Sequence, residues 1–140
     1  MIIKHIIYFA TLFIFLSPIR AENLVKIGLI TDLSGVASYY GNQTRLGALL
    51  AEQELKAANK HVQLIIDDST LNTTRSLSAA QKMLYVDNVD AFYVDFTLSA
   101  VAVSSLLQQN KKLMLYSAAV ESVAKNNPYA FKTYSDYSLG

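Results

Sequence analysis

The sequence contains no cysteine, and only 5 glycines and 2 histidines occur among its 140 residues. Without cysteine, the chain has no disulfide framework, no thiolate metal site and no attachment point for a bacterial lipid anchor. His61, the only histidine after the first 21 residues, lies between a predicted helix and a predicted strand and is expected in an exposed turn. Metal chemistry and nucleophilic catalysis therefore have little support, and no cofactor is expected.

Glycine is also too sparse for a phosphate-binding loop. Residues 31–41 (TDLSGVASYYG) connect an apolar strand to a helix, as such a loop would, but they match neither GxxxxGK[ST] nor GxGxxG. No serine occurs in a GxSxG context either. A nucleotide site and a hydrolase triad are both disfavoured, so this loop is expected to have a different function.

Neither sign of charge dominates the chain. It has 12 basic and 11 acidic residues, and removing Lys4 and Arg20 with the first 21 residues leaves 10 basic residues and a net charge of −1. No basic patch stands out, so nucleic acid is not an expected partner.

The first 21 residues have the pattern of a secretory signal peptide. Lys4 precedes an unbroken apolar run at residues 6–16, Pro18 ends that run, and Ala21 provides a small residue for cleavage. The run of 11 residues is shorter than the roughly 20 that a transmembrane helix needs, although an uncleaved membrane anchor is the alternative. We expect an exported, periplasmic protein whose folded domain spans residues 22–140.

Beyond the signal peptide, the hydrophobic pattern alternates between the period of a strand and that of a helix. The predicted strands are residues 24–30, 62–66, 91–94, 113–116 and 129–133, and the predicted helices are residues 42–58, 73–87 and 99–109, with a helical turn at 121–126. Strands that alternate with helices form βαβ units, and strands that are apolar throughout are covered on both faces. The prediction is an α/β fold, a doubly wound parallel sheet with helices on both faces.

Acidic residues follow the first two predicted strands, at the edge where such sheets bind ligands. These residues are Asp32, Asp67 and Asp68. They suit a metal, an acid–base pair or a receiver-type phosphoacceptor, but acids after a strand more often cap turns and helix starts. A phosphoacceptor also needs a cytoplasmic kinase, which the signal peptide argues against. We favour the structural interpretation and expect no metal.

Other loops at the same edge offer polar groups to a small ligand. Residues 97–99 begin the third helix, where a hydroxyl and free backbone N–H groups favour a carboxylate; an ordinary helix cap is the alternative. Residues 117–119 have small side chains, so their backbone can approach a ligand, or they simply pack tightly. Of Tyr39 and Tyr40, one is expected to cover a ligand and the other to pack in the core.

Five segments occur in a distinctive order along the chain: IGLITDLSGVASYYG, GALLAEQELKAAN, VQLIIDDST, LMLYSAAVES and NNPYAFKTYSD. In this order they resemble the branched-chain amino-acid-binding type of periplasmic binding protein, which delivers ligands to ABC importers. The resemblance covers essentially all of the chain after residue 21, although no single segment is diagnostic. It implies an α/β lobe that clamps a small molecule against a second lobe.

The resemblance also implies roles for individual residues. Tyr40 would lie beside the ligand's side chain, and Thr97 would bind its α-carboxylate through the hydroxyl and the helix-end amide. Ala118 would offer its carbonyl to the ligand's ammonium group, and Ala119 and Val120 would line the same turn.

Two residues depart from the family pattern. Val120 stands where amino-acid binders often have threonine, so a hydroxyl contact is lost, and an unmatched buried polar group costs about 1–3 kcal/mol. Lys132 replaces a common arginine, which is a milder change. We therefore expect a small organic ligand, with an amino acid as one candidate.

The chain ends at Gly140, where the path of the family enters the second lobe. We expect the N-terminal lobe alone, with weak binding and an exposed apolar edge where missing elements would dock. A partner that supplies the second lobe and an inactive truncated product are the alternatives.

The expected function is a non-enzymatic binding module that works with an ABC importer permease. An exported sensory domain of the same fold, which reports a ligand to a partner, is the alternative. An enzyme of the doubly wound class comes third, because no catalytic group was found in the loops.

Overall fold

The computed structural model describes residues 23–133 of the chain. The predicted signal peptide at residues 1–21 lies outside them, as do residues 134–140. The elements are β1 (Val25–Thr31), α1 (Ser38–Ala57), β2 (Val62–Asp68), α2 (Thr73–Tyr85), β3 (Ala91–Asp95), α3 (Thr97–Gln109), β4 (Leu113–Ser117) and β5 (Ala130–Lys132). The predicted strands and the three long helices are all confirmed, with ends that differ by at most four residues. None of the helices within 23–133 is long and apolar enough to cross a membrane.

The predicted helical turn at residues 121–126 is a hydrogen-bonded turn and not a regular helix. The carbonyl of Glu121 accepts from the N–H groups of Ala124, at 3.1 Å, and of Lys125, at 3.2 Å. The segment does not continue as a helix, because Asn126 has a φ of 62° and the chain then passes through Pro128 into β5.

The five strands form one parallel sheet in the order β2-β1-β3-β4-β5. The predicted parallel α/β fold is therefore confirmed. β1 pairs on both sides, so that Ile27 lies opposite Leu64 of β2 and Ala91 of β3. Since the chain leaves β1 toward β2 and then returns to the other side of β1, the loops after β1 and β3 diverge. Such a switch point is where open α/β sheets form ligand clefts.

One face of the sheet is sealed by α2 and α3, and we call it the sealed face. Gly28 of β1 shows how closely this face is packed: a Cβ atom there would lie 2.8 Å from the sulfur of Met83 in α2. Phe92, Met114 and Tyr116 are at most 1% exposed on this face. Burying each side chain of this size stabilises the fold by about 1.5–3 kcal/mol, so most of the apolar stabilisation lies here.

Of the described helices, only α1 lies on the opposite face, where it packs over β1 and β2. We call it the open face. Beside α1 runs an apolar groove of about 540 Å³, lined by Ile27, Leu29, Thr44, Gly47, Ala48, Ala51, Glu52, Leu55, Val62, Leu64, Ala91, Phe92, Tyr93, Leu113 and Leu115. Leu113, Leu115 and Phe131 are 43%, 37% and 52% exposed. The sequence predicted an exposed apolar edge, whereas residues 23–133 expose an apolar face.

α1 is packed most tightly against the sheet in its first turn. Gly41 is the only buried residue among its 20, whereas α2 buries 5 of its 13. A Cβ atom on Gly41 would lie 1.8 Å from the backbone oxygen of Asp32, so no other residue fits there without moving the helix. This contact fixes the start of α1 against the end of β1 and places Tyr40 and Thr44 beside β3.

Candidate ligand-binding cleft

A cleft of about 470 Å³ opens at the carboxyl ends of the central strands. α1 contributes one wall, the β3–α3 junction forms the floor, and the loop after β4 forms the other wall. The lining residues are Tyr40, Gln43, Thr44, Asp95, Phe96, Thr97, Ser117, Ala118 and Ala119. The cleft therefore lies at the switch point between β1 and β3, where the topology places ligand sites.

Four of the five residues singled out in the sequence come together in this cleft. They are Tyr40, Thr97, Ala118 and Ala119. Val120 does not line it: its side chain packs against the core of the sealed face, and its carbonyl accepts a hydrogen bond from the Tyr116 hydroxyl at 3.3 Å. Whether these residues bind a ligand stays a prediction.

The N-terminus of α3 opens into the cleft. α3 begins at Thr97 without a side-chain cap, and its first backbone bond within residues 23–133 runs from Ala100 N–H to the Phe96 carbonyl at 3.0 Å. The N–H groups of Thr97, Leu98 and Ser99 have no acceptor among the described residues. N–H groups without an acceptor at the positive end of a helix dipole favour an anionic group, and Thr97 presents this end to the cleft.

Ser99 and Phe96, which lie close to Thr97 in the chain, have structural roles at this end of α3. Ser99 is fully buried, and its hydroxyl is 2.9 Å from that of Ser76 in α2, so its side chain serves packing between α2 and α3. Phe96 has φ 67° and ψ 146°, a conformation that costs a residue with a Cβ atom about 1–3 kcal/mol. The Phe96 N–H bonds to the Ser117 carbonyl at 3.0 Å, which holds the floor to the β4 loop.

The loop after β4 places backbone groups at the opposite wall. Ala118 is 4% exposed, and none of the hydrogen bonds described within 23–133 reaches its carbonyl oxygen. Ala119 is exposed on the same turn. Ser117, Ala118 and Ala119 all have small side chains, so no long side chain on this wall stands between the backbone and the cleft.

Tyr39 and Tyr40 differ from the expectation that one would pack in the core. They are 71% and 67% exposed, and their rings meet edge to face with centroids 5.3 Å apart. α1 begins at Ser38, so both tyrosines lie in its first turn and project beyond the sheet. Only Tyr40 of the pair lines the cleft.

Sequence reasoning missed Asp95 as an individual site residue. Its side chain is 6% exposed, and its Oδ2 atom accepts hydrogen bonds from the hydroxyls of Thr31, at 3.1 Å, and Thr44, at 2.6 Å. It therefore joins β1, β3 and α1 at the base of the cleft. The one signal in the sequence was an acid at the end of an apolar strand, which does not reveal partners 51 and 64 residues away.

Asp32, just after β1, and Asp68, the last residue of β2, stabilise loops. Asp32 is fully buried and accepts from the N–H groups of Gly35, at 2.6 Å, and Ala37, at 2.8 Å. A Cβ atom on Gly35 would lie 2.5 Å from the Asp32 carboxylate, which explains the single glycine in the loop. The loop is folded around a carboxylate of its own, an arrangement that suits no phosphate.

Asp68 holds the same loop from β2. Burial would raise the pKa of Asp68, but hydrogen bonds from the Ser34 hydroxyl and from the Leu33 and Thr70 amides outweigh burial and lower that pKa. Within residues 23–133, no three histidine, cysteine, aspartate or glutamate side chains are grouped to hold a metal ion. These contacts support the structural interpretation of the acids.

Comparison with known proteins places this chain in a family. A model of the periplasmic binding protein family matches residues 24–139. The chain belongs to the periplasmic binding protein family. The resemblance found in the sequence is thus confirmed at the level of the family. A search of curated proteins found no significant match.

Solved structures of this family superpose on the chain. One is LivJ, the branched-chain amino acid transporter substrate-binding protein of Streptococcus pneumoniae, in complex with isoleucine; it has a TM-score of 0.72 and 22% identity over 81% of this chain and 34% of its own. An ABC transporter solute-binding protein of Rhodopseudomonas palustris BisB5 with 3,4-dihydroxybenzoic acid has a TM-score of 0.70, 23% identity, and coverage of 79% and 31%.

A third structure is a solute-binding protein of R. palustris with 4-hydroxybenzoate, at a TM-score of 0.67 and 28% identity over 79% of this chain and 32% of its own. This periplasmic binding protein chain thus spans about a third of the length of the structures it matches. Their ligands are an amino acid and two hydroxybenzoates, so the shared fold does not fix the ligand.

Proposed function

We propose that this chain is the ligand-binding N-terminal lobe of an exported solute-binding protein that serves an ABC importer. The observation that carries the proposal is the cleft at the switch point in a member of the periplasmic binding protein family. Among the described residues, the first N–H groups of α3 and the Ala118 carbonyl at this cleft have no backbone partner. The protein binds and releases a small organic ligand and performs no reaction on it.

The ligand carries a carboxylate, and an amino acid is one candidate. The carboxylate binds at the N-terminus of α3, where the Thr97 hydroxyl and the open amides of Thr97 and Leu98 can reach it. The Ala118 carbonyl accepts a hydrogen bond from a donor on the ligand, and Tyr40 covers the ligand's apolar part. Ala119 contributes backbone groups of the same turn, whereas Val120 packs against the core and is left out of the proposed site.

Residues 1–21 direct export, and the site of action is the periplasm. The apolar run, the helix-breaking proline and the small residue before residue 22 support this assignment. The partner that receives the ligand is an importer permease.

Full affinity requires a second wall. The cleft within residues 23–133 is open to solvent on the side of Tyr39 and Tyr40, which are 71% and 67% exposed. Family members close over ligands by a hinge motion that excludes water. An opposing lobe, on a longer chain or on a partner, completes the site, and this lobe alone binds weakly.

Replacing Thr97 by alanine tests the carboxylate anchor. We expect Thr97→Ala to weaken binding of isoleucine or 4-hydroxybenzoate about tenfold, because one hydrogen bond to a charged group is lost. Titration calorimetry at millimolar ligand measures this on the chain as it stands or joined to its second lobe.

Thr73→Ala is the matched control, because Thr73 is also the first residue of a helix, α2, but lies outside the cleft. It should leave the affinity unchanged. Equal affinities of the two variants for every ligand tested would contradict the proposed site.

A further inference from the structure

Asp95 has one carboxylate oxygen engaged and one open. Both hydroxyl bonds, from Thr31 and Thr44, reach Oδ2, and no hydrogen bond described within residues 23–133 reaches Oδ1. No fully buried side-chain oxygen or nitrogen of the described residues lacks a partner. Since Asp95 lines the cleft, its Oδ1 atom is accessible from the cleft and able to accept a further hydrogen bond.

No positive side chain balances this carboxylate at the cleft. Of the nine described residues that line it, none is lysine, arginine or histidine. The Coulomb interaction between charges is several times stronger at a partly buried site than in water. An anion that enters the cleft is therefore repelled by Asp95, and a cation is attracted.

The two anchors of the cleft have opposite preferences and lie close together. Asp95 ends β3, and Thr97 begins α3 two residues later, with its open N–H groups. The helix end favours a negative group, and Asp95 favours a positive one. A ligand that satisfies both carries the two charged groups close together, as when both are attached to one carbon atom.

We propose that Asp95 selects the charge of the ligand, so that the cleft favours ligands with a protonated amine beside their carboxylate and disfavours plain carboxylates. Asp95 contacts the amine through Oδ1, while Thr31 and Thr44 fix the carboxylate in place through Oδ2. This inference rests on the proposed function, because it assumes that the cleft is the binding site. It separates amino acids from hydroxybenzoates, which relatives of this chain bind with the same fold.

The test compares ligands of equal shape that differ in the amine. Isoleucine and its analogue without the amine, 3-methylpentanoate, are titrated into the wild-type chain and into Asp95→Asn. We expect the wild type to prefer isoleucine by roughly tenfold to a hundredfold. Asp95→Asn should reduce this preference to about threefold or less, by weakening isoleucine and strengthening 3-methylpentanoate.

Thr44→Val separates selection from a structural role. It removes the bond from α1 to Asp95 but keeps the carboxylate, so it should retain the preference for isoleucine even where both affinities fall. If Asp95→Asn weakens both ligands equally and the preference stays, Asp95 only holds α1 and the inference is wrong.

The wild type alone also decides between the two proposals. Equal binding of isoleucine and 3-methylpentanoate would overturn the role of Asp95 and leave the proposed function standing. No binding of either ligand or of 4-hydroxybenzoate, even with a second lobe attached, would overturn both. Should Asp95→Asn fail to fold, the wild-type preference and the Thr44→Val titration still test whether Asp95 selects the ligand.

Discussion

The two faces of the sheet differ in how deeply their side chains are buried, although both faces carry apolar residues. On the sealed face, α2 and α3 bury Phe92, Met114 and Tyr116 almost completely. On the open face, neighbouring strand residues of the same kind, Leu113 and Leu115, are 43% and 37% exposed. Both faces are apolar, so hydrophobicity alone does not decide burial. What decides it is whether a helix within residues 23–133 lies over that part of the sheet.

Two of the cavities formed by residues 23–133, the groove and the cleft, give the same lesson about function. The groove on the open face, about 540 Å³, is slightly larger than the cleft, about 470 Å³. The groove is lined almost entirely by aliphatic and aromatic side chains, whereas the cleft gathers a carboxylate, hydroxyls and open peptide groups. Small-molecule sites combine apolar walls with a few placed polar groups. Polar chemistry, and not volume, distinguishes the candidate site.

Truncating adjacent residues of β4 tests the contrast between the faces most strongly. Met114→Ala should lower the free energy of unfolding by about 2–5 kcal/mol, because it leaves a cavity in the sealed core. Leu115→Ala should cost about 1 kcal/mol or less, since that side chain already contacts water. Urea unfolding followed by circular dichroism measures both. Equal losses would mean that something covers the open face in solution.

The second-largest effect is expected where the first turn of α1 packs against the end of β1. Gly41→Ala should destabilise the fold by about 1–3 kcal/mol, because its Cβ atom overlaps the Asp32 backbone oxygen. Gly47→Ala is the control in the same helix: no atom lies within 4 Å of its Cβ position, so it should be neutral or stabilise by up to about 1 kcal/mol. If thermal unfolding shows both variants alike, the first turn does not anchor α1.

Substitutions in the contacts that hold the loop before α1 should change the free energy of unfolding least, and the size of that change should depend on pH. The folded pKa of Asp68 is lowered, so its contribution is present above the usual aspartate value and is lost as pH falls through the folded pKa. Asp68→Asn should therefore cost about 1 kcal/mol at neutral pH and flatten the loss of stability below about pH 4.

Ser34→Ala removes one of the donors to Asp68 and should show an intermediate acid profile. Unfolding curves between neutral and acidic pH give the comparison. An unchanged acid limb in Asp68→Asn would show that this loop does not contribute to the pH dependence.

Helix starts were predictable where a side chain caps them. α2 begins at Thr73, as predicted, and the Asn72 side chain accepts from the Arg75 N–H at 3.0 Å. α1 and α3 begin four and two residues before their predicted starts, and neither has a side-chain cap. The start of α1 is set by its contacts with the sheet, and the start of α3 follows Phe96, which has a positive φ. No local sequence pattern predicts either feature.

By itself, the sequence determined the alternation of strands and helices, the parallel α/β class and the loops that meet at the carboxyl edge, because these follow from local periodicity and from the geometry of βαβ units. It also brought Tyr40, Thr97 and Ala118 to attention through the family resemblance.

Only the tertiary structure decided that Asp95 meets Thr31 and Thr44, that Val120 packs into the core, and that α1 leaves the part of one sheet face over β3 and β4 open. These facts depend on pairings between residues far apart in the chain. Side-chain type and spacing in the sequence do not reveal such pairings, because only the folded chain brings the residues together.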